Sequence, residues 1–436
     1  MTIINKINEF HDEMTAWRRD IHQHPELAYE ENRTSDFVAT KLEEFGIEIH
    51  RGLAKTGVVG TIRNGEGPAI GLRADLDALP LQEKNTFNHA SSNPGKMHAC
   101  GHDGHTAMLL GAAKYLASNK NFKGTVNFIF QPAEEGGGGG DLMVKEGLFE
   151  KFPVDSVYGL HNWPGMDPGI FGVGSGPIMA AADMFDLTIN GRGGHCAMPD
   201  QCIDPIVVAS QVVSALQTIP SRSTHPVDSV VISVTQIHAG DAYNVIPDSV
   251  RMLGSVRTFL PETQEGMPSS MLRVAEGVCA AFGASCELNY IKGYPATINS
   301  VPETEISAKA VVDLVGEENL IRDPTPSMGA EDFSYMLQAR PGGEAGGGRV
   351  SEDSSVEEGD GGGRRGGRGS GGGRGSGSSR GRAGDRQGGG GRRGDRSRKP
   401  GLFEDLEDLD QYRIEEMLRE VKANLRAQDQ QHASLK

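Results

Sequence analysis

Cysteine is scarce in this chain and follows no regular pattern. The 436 residues include five cysteines, an odd number at uneven spacing. Small secreted proteins that depend on disulfides carry an even set of cysteines, so we predict no disulfide framework here. A reducing compartment follows from this, with the cytoplasm as the predicted location. The cysteines are Cys100, Cys196, Cys202, Cys279 and Cys286.

Long apolar runs and an excess of positive charge are also absent. No run reaches the roughly twenty apolar residues that a membrane-spanning helix needs. Met1 to Glu9 lacks the basic region and apolar core of a secretory signal. Acidic side chains number 59 against 43 basic ones, which gives a net charge of −16. These features predict no membrane partner and no global attraction to nucleic acid.

The sequence does contain a group of metal-binding residue types. Cys100 and His102 stand two apart, the pair Glu134-Glu135 follows about thirty residues later, and His161 comes further on. Zinc and similar divalent ions accept sulfur, nitrogen and oxygen donors together, and a catalytic site keeps one position open for water. A carboxylate beside such a water acts as its general base. The pattern therefore favours a metal-dependent hydrolase over unrelated polar loops.

The predicted secondary structure brings these residues to one edge of a sheet. Thr106 to Leu116 reads as a helix, so Cys100 and His102 lie at its N-terminus, where the helix dipole should lower the thiol pKa. Thr125 to Phe130 is a short β-rich run that ends just before the Glu-Glu pair, and Val157 to Leu160 likewise delivers His161. Open α/β sheets place their chemistry at such strand ends.

At these residues the chain resembles the hippurate hydrolase, or N-acyl-amino-acid amidohydrolase, branch of the zinc aminoacylase and carboxypeptidase family. The resemblance covers roughly residues 10 to 341. The matching stretches occur in the family's order, and besides the metal-binding segments they are Arg18 to His22, Pro25 to Leu27, Arg73 to Pro80, Gln131 to Gly140, Gly159 to Asn162, Gly191 to Pro199, Asn244 to Pro247 and Met328 to Phe333.

The resemblance implies roles for individual residues. It makes Cys100, His102, Glu135 and His161 ligands of two divalent ions (zinc, manganese or cobalt) and Glu134 the general base.

The resemblance also implies roles in catalysis and substrate binding for three residues further along the chain. His195 would stabilise the oxyanion, and Asn244 and Arg257 would bind the substrate carbonyl and carboxylate. An outward-facing strand residue is the alternative interpretation of Arg257.

The chain departs from the family after Arg340-Pro341. The family carries a further histidine ligand near its C-terminus, in a His-Asn-Pro type segment, and this chain has none; its only later histidine is His432. We therefore expect one metal site to be weakened and the last strand and helix of the catalytic domain to be missing, which would expose an edge of the sheet. A fusion, a frameshift or a chimera would each produce this.

The alternation of elements predicts an α/β fold with a mixed, largely parallel sheet, and an inserted ferredoxin-like α+β domain serving as lid and dimer contact. The prediction of the inserted domain rests on the βαββαβ order in the middle of the chain. The predicted boundaries are 1–182 and 294–341 for the two parts of the catalytic domain, 183–293 for the inserted domain, 342–400 for a disordered tail and 401–430 for an amphipathic helix.

Several polar residues near the centre have two interpretations. Asp75, Asp77 and Asp103 are candidates for orienting the ligand imidazoles, and Asp103 is equally a candidate helix N-cap. His105 is predicted to be structural or to support a ligand. The run Gly136 to Gly140 lacks the ending of a phosphate-binding loop, so a turn with positive φ is the favoured interpretation.

The tail differs in composition from everything before it. Repeated Arg-Gly units follow an acidic patch, and almost nothing in the segment is apolar enough to bury. Two functions are therefore expected. The main one is a metal-dependent amidohydrolase that cleaves hippurate-like or N-acetyl amino acids. The alternative is a catalytically impaired fusion whose Arg-Gly tail binds RNA.

Overall fold

The computed structural model describes residues 3–348 of the chain. The predicted disordered segment after residue 348, the amphipathic helix 401–430 and the Arg-Gly repeats proposed to bind RNA lie outside the described residues. Within 3–348, no helix is long and apolar enough to cross a membrane.

Residues 3–179 alternate helices with short strands. These helices pack on a central sheet, and Thr125 to Phe130 lies in a strand as predicted. The helices are α1 (Ile3–Asn8), α2 (His11–Gln23), α3 (Asn32–Glu44), α4 (His102–Asn119), α5 (Gly139–Lys145) and α6 (Leu148–Lys151). The strands are β1 (Glu48–Leu53), β2 (Gly57–Asn64), β3 (Ala69–Asp75), β4 (Gly124–Gln131), β5 (Ser156–Trp163), β6 (Phe171–Val173) and β7 (Gly176–Met179).

The middle of the chain forms the predicted βαββαβ unit. Its elements are β8 (Ala181–Asn190), β9 (Gly194–His195), α7 (Pro205–Leu216), β10 (Val230–His238), β11 (Val245–Ile246), β12 (Ser249–Thr258), α8 (Pro261–Phe282) and β13 (Ser285–Tyr294). Four of these strands form an antiparallel sheet in the order β10-β12-β8-β13. Alternate residues along β8 and β12 are buried against α7 and α8, as expected for a sheet covered on one face.

The chain then returns to the first sheet. The returning elements are β14 (Thr297–Asn299), α9 (Val301–Val315), β15 (Leu320–Arg322), α10 (Phe333–Ala339) and β16 (Gly342–Gly348). The main sheet has the order β1-β2-β4-β3-β5-β16-β6-β15. Pairing is parallel from β4 through β3 and β5 to β16, and again between β15 and β6, and antiparallel elsewhere. The predicted mixed α/β fold is confirmed.

Strand β16 corrects the expectation for the C-terminal part. Residues 342–348 were predicted to belong to the disordered tail, and the loss of the last strand was expected to expose an edge of the sheet. Instead β16 fills the space between β5 and β6, with Gly346 opposite His161. Unpaired backbone groups in a sheet interior are costly, and glycine offers the same N–H and C=O as any residue. Asn299 holds the strand further, because its side chain accepts from the N–H of Glu344 and donates to the carbonyl of Glu344.

Candidate metal centre

A left-handed glycine places Cys100 and His102 on the same side of the chain. His102 is the first residue of α4, and Gly101 precedes it with a φ of 93°. A Cβ at this position would lie 2.3 Å from Oδ1 of Asn162, so only glycine fits. The thiol of Cys100 lies 3.4 Å from Nε2 of His161. Donor atoms of Cys100, His102 and His161 all lie within 4.8 Å of one another.

Backbone carbonyls orient both histidines toward a common point. Nδ1 of His102 lies 2.8 Å from the carbonyl oxygen of Asp77, and Nδ1 of His161 lies 2.7 Å from that of Asn162. A carbonyl oxygen only accepts, so Nδ1 donates a proton in each ring, and Nε2 is the nitrogen available to bind a metal. His161 lies within strand β5 rather than after it, which differs slightly from the predicted placement.

The two carboxylates after β4 are positioned by Asp77. The N–H groups of Glu134 and Glu135 donate to the two carboxylate oxygens of Asp77, at 3.0 Å and 2.9 Å. Asp77 therefore holds the Glu-Glu turn through its side chain and His102 through its carbonyl. His102, Glu134 and Glu135 also form a group with donor atoms within 4.8 Å. The structure thus gathers all four predicted ligands and the predicted base at one place.

The electrostatic field at this point is strongly negative. Burial lowers the pKa of His102, but the charge of Asp75 together with the interactions with Asp77 and Cys100 raises that pKa well above its usual range. Burial raises the pKa of Glu134, and repulsion from Glu331 and Asp332 raises it further. A field that favours a proton on an imidazole also favours a metal cation there.

The predicted effect of the helix dipole on Cys100 is wrong for the metal-free protein. Burial raises the pKa of the Cys100 thiol, and the interaction with His102 only partly opposes this. Desolvation of the thiolate therefore exceeds the stabilisation that the start of α4 provides. A bound cation would instead lower the pKa of the Cys100 thiol, since a thiol that coordinates a metal is deprotonated.

Arg73 is a central residue whose role the sequence did not reveal. Its guanidinium is buried and donates to Asp75 at 2.7 Å, to Glu331 at 2.8 Å and to Asp332 at 3.2 Å. Asp332 also accepts from the N–H of Gly140 at 2.8 Å. One buried cation thereby joins β3 to the segment before α10, beside Glu134. An arginine near the end of the otherwise apolar run Ala69 to Ala74 was the signal available in the sequence.

The supporting aspartates divide into separate roles. Asp75 accepts from Nδ1 of His105 at 2.7 Å, while Nε2 of His105 accepts from the N–H of Asn162. Both ring nitrogens of His105 are thus occupied, so it is structural, as predicted. Asp103 neither caps α4 nor contacts a predicted ligand; it accepts from Arg18 and from Nδ1 of His22.

The glycine run after Glu135 forms a turn. Gly136 and Gly138 have φ angles of 81° and 67°, and Gly138 precedes α5 directly. Tyr294, at the end of β13, binds this turn: its hydroxyl donates to the carbonyl of Glu134 and accepts from the N–H of Gly138. The prediction of positive φ is confirmed. Through Tyr294, the middle unit contacts the backbone of the Glu-Glu pair.

The predicted residues of the middle unit lie apart from this centre. His195 on β9 pairs with Val245 on β11, directly after Asn244, and both His195 and Asn244 are exposed. Arg257 lies on β12 and is half-buried. Within 3–348 no hydrogen bond or ion pair joins these three residues to the predicted metal ligands. Their roles in substrate binding remain predictions.

The residues at the centre fit a divalent metal. Nε2 of His102 and Oε1 of Glu135 are buried and have no hydrogen-bond partner among the described residues. Unpaired buried polar atoms are costly, and a coordinated cation would satisfy both. Sulfur, imidazole and carboxylate donors together suit zinc, manganese or cobalt.

Comparison with known proteins identifies relatives that match about three quarters of the chain. Residues 71–358 match the model of the peptidase family M20/M25/M40. The hippurate hydrolase of Campylobacter jejuni is 41% identical over 341 residues, which is 78% of this chain and 89% of that protein. The N-acetylcysteine deacetylase of Bacillus subtilis is also 41% identical, over 76% of this chain and 87% of that protein.

A solved structure shares the fold. The crystal structure of a dinuclear metal-binding peptidase of the M20 family from Bacillus subtilis superposes with a TM-score of 0.69 at 38% identity. The match covers 78% of this chain and 89% of that one. Nothing in these relatives supports the alternative of an RNA-binding fusion.

Proposed function

The chain belongs to the peptidase family M20/M25/M40 and is a hydrolase of amide bonds, and from this premise we propose that it cleaves N-acyl amino acids into a carboxylate and a free amino acid. The observation that carries the proposal is the convergence of Cys100, His102 and His161 with the Glu134-Glu135 pair. Relatives named for hippurate and for N-acetylcysteine support the substrate class.

Cys100, His102, Glu135 and His161 would hold the metal. When bound, a divalent ion supplies Lewis-acid polarisation of the amide carbonyl and lowers the pKa of water. Two ions are expected from the family. One position should be weakened, because the C-terminal histidine segment is missing.

Glu134 would move the proton. Its carboxylate is buried and lies 3.9 Å from Nε2 of His102. It would therefore lie beside the bound metal. Burial raises the pKa of Glu134 in the metal-free protein, and a bound cation would lower it and leave the carboxylate ionised to act as the base. It would accept the proton of water at one carboxylate oxygen and donate it to the leaving amine.

The middle unit would supply the remaining groups. His195 would stabilise the oxyanion, and Asn244 and Arg257 would bind the substrate carbonyl and carboxylate. Arg257 suits a carboxylate because its guanidinium donates two parallel hydrogen bonds. No hydrogen bond or ion pair joins these residues to the centre among the described residues, so the proposal brings them to the substrate through domain closure or a second copy of the chain.

A homodimer through residues 183–293 would provide the second copy. Strand β10 lies at the edge of the four-stranded sheet, and its Ile237 is 56% exposed. An unpaired edge of this kind is suited to pairing with another chain. Light scattering after size exclusion tests the dimer, and a monomer at micromolar concentration would contradict it.

The cytoplasmic location stays a proposal based on cysteine usage.

The experiment that tests the function is hydrolysis of hippurate and a panel of N-acetyl amino acids by the purified full chain with added manganese or zinc. Release of the free amino acid that disappears in Glu134→Ala supports the proposal. A folded, metal-bound protein that leaves every substrate intact would contradict it.

A further inference from the structure

The peptide bond between Glu134 and Glu135 joins the proposed base to a proposed metal ligand. Because a peptide group is planar, its orientation helps to set the direction of both side chains. Its N–H, from Glu135, donates to the carboxylate of Asp77 at 2.9 Å. Its carbonyl, from Glu134, accepts a hydrogen bond from the hydroxyl of Tyr294 at 2.7 Å. Two residues from different parts of the chain therefore hold this one peptide group, one at each end.

The backbone before this peptide group is in an unfavourable conformation. Ala133 has a φ of 57°, which is left-handed and costly for a residue with a side chain. Gly136 donates to the carbonyl of Glu134 from within the turn, and Tyr294 supplies a hydrogen bond from outside it. A backbone of this kind persists only while surrounding contacts hold it, and the hydroxyl of Tyr294 is one of those contacts.

Tyr294 lies where the two chain connections to the middle unit run side by side. It ends β13 and pairs with Ala182, near the start of β8. The N–H of Gly293 donates to the buried Asp183 at 2.9 Å, and a Cβ on Gly293 would lie 2.1 Å from the carbonyl oxygen of Ala182. The ring of Tyr294 packs against Tyr335, with 6.0 Å between the ring centroids. These contacts fix where the hydroxyl of Tyr294 lies.

On the basis of the proposed function, we infer that Tyr294 is a positioning residue that acts through Glu134. The hydroxyl binds backbone atoms of Glu134 and Gly138, so it holds the base without taking part in the chemistry. Without it, the N–H end of the peptide group stays bound to Asp77 while the carbonyl end turns, and the carboxylate of Glu134 moves out of line with the attacking water. Tyr294 thus links the placement of the middle unit to the orientation of the base.

A kinetic comparison of two tyrosines tests the inference. Tyr294→Phe removes one oxygen atom and keeps the ring. Tyr29→Phe is the matched control, because the hydroxyl of Tyr29 donates to the carbonyl of Gly137 in the same turn at 2.7 Å. The full chain is loaded with manganese, hippurate is the substrate, and thermal melts establish that each variant is folded.

The expected result is a loss in kcat with KM retained. In Tyr294→Phe, kcat should fall by about tenfold or more, because a small misplacement of a catalytic group is costly. Its KM should stay close to the wild-type value, and Tyr29→Phe should behave as wild type. An unchanged kcat in Tyr294→Phe would overturn the inference, as would an equal loss in Tyr29→Phe, which would indicate a general effect of loosening the turn.

A double-mutant cycle shows whether the hydroxyl acts through Glu134. If it acts by placing the carboxylate, its removal should cost little once that carboxylate has become an amide. Under single-turnover conditions, we expect Tyr294→Phe combined with Glu134→Gln to react at the rate of Glu134→Gln alone. Two effects that multiply in the combined variant would overturn the inference.

Cobalt gives a readout that does not depend on hydrolysis. The visible absorption of bound cobalt(II) depends on the geometry of its ligands, and Glu135 shares the peptide group that Tyr294 holds. We expect shifted absorption bands in cobalt-loaded Tyr294→Phe and wild-type bands in Tyr29→Phe. Bands identical to wild type in Tyr294→Phe would overturn the inference.

The outcomes separate this inference from the proposed function. A wild-type chain that hydrolyses nothing, with shifted cobalt bands in Tyr294→Phe, would contradict the function and support the positioning role. Hydrolysis by the wild type, with kcat and cobalt bands unchanged in Tyr294→Phe, would support the function and overturn the positioning role.

Discussion

The carboxylate of Asp77 accepts a hydrogen bond from the backbone N–H of Glu134 at 3.0 Å, and its other oxygen accepts from Glu135 at 2.9 Å. Asp77→Asn keeps the shape but replaces one acceptor with an amide N–H₂ that faces a donor. We expect a loss of about 1–3 kcal/mol in the free energy of unfolding and metal binding weakened by roughly 10–100-fold. Urea denaturation and metal titration measure the two effects.

Asp155→Asn is the comparison for Asp77→Asn. Asp155 also accepts from a backbone N–H, that of Ala69, but at an exposed position. It should leave metal affinity unchanged. Equal metal affinity in Asp77→Asn and the wild type would contradict the positioning role.

Glu134→Gln removes the proposed base and keeps the side chain's volume. A general base contributes roughly 10²–10⁴-fold to the rate, so kcat should fall by that range, with metal binding retained. Amino acid release under single-turnover conditions measures it. Glu150→Gln, an exposed glutamate on α6, should behave as wild type. A decrease in kcat of less than tenfold in Glu134→Gln would assign the proton transfer elsewhere.

Arg73→Met leaves several buried carboxylates without their cation. Removing one partner of a buried ion pair costs about 3–5 kcal/mol, and we expect that loss in the free energy of unfolding at pH 7. Arg63→Met is the control, because Arg63 and Glu48 form an exposed pair worth at most about 1 kcal/mol. Equal effects of the two substitutions in chemical denaturation would show that the Arg73 cluster does not stabilise the fold.

Metal should stabilise the protein through Cys100. A ligand at a hundred times its Kd adds about 2.7 kcal/mol to the folded state, so zinc or manganese should raise the Tm of chelator-treated protein. Cys100→Ala should reduce that shift by at least half, whereas Cys196→Ala, an exposed cysteine of the middle unit, should not. An identical metal-induced shift in Cys100→Ala would remove Cys100 from the ligand set.

His98 makes the metal-free protein sensitive to mild acid. Burial lowers the pKa of His98 from 6.5 to about 4, so the folded form stays neutral where the unfolded chain takes up a proton. Its contribution to stability is complete above pH 6.5 and is lost as the pH falls toward 4. At about 1.4 kcal/mol per pKa unit, the loss at pH 5 is about 2 kcal/mol.

The measurement is urea denaturation at pH 7.5 and pH 5 in the presence of a chelator. The wild type should lose about 2 kcal/mol more than His98→Gln between these values. His225→Gln, on an exposed loop, should lose as much as the wild type. Parallel losses in the wild type and His98→Gln would show that His98 titrates normally.

Local pattern in the sequence was enough for the elements and the ligand types. The run Thr125 to Phe130 is β-branched and aromatic, and it forms β4; the helix predicted from Thr106 to Leu116 lies within α4. The sequence also predicted that Cys100 and His102 lie at the start of this helix, and Gly101 between them adopts the left-handed φ that the turn requires. Such features depend on neighbours in the chain, so the sequence carries them directly.

Long-range contacts were decided by tertiary structure alone. The sequence contains Arg73 and Glu331 but does not say that they meet, because 258 residues separate them and only the packing of α10 against the sheet joins them. The glycine-rich segment 342–348 has no strand pattern; it becomes β16 because the space between β5 and β6 offers backbone partners. Burial likewise raised the Cys100 pKa that the helix dipole was expected to lower. Which residues carry the donors was determined by the sequence, whereas their distances, proton positions and desolvation arise only when distant segments pack together.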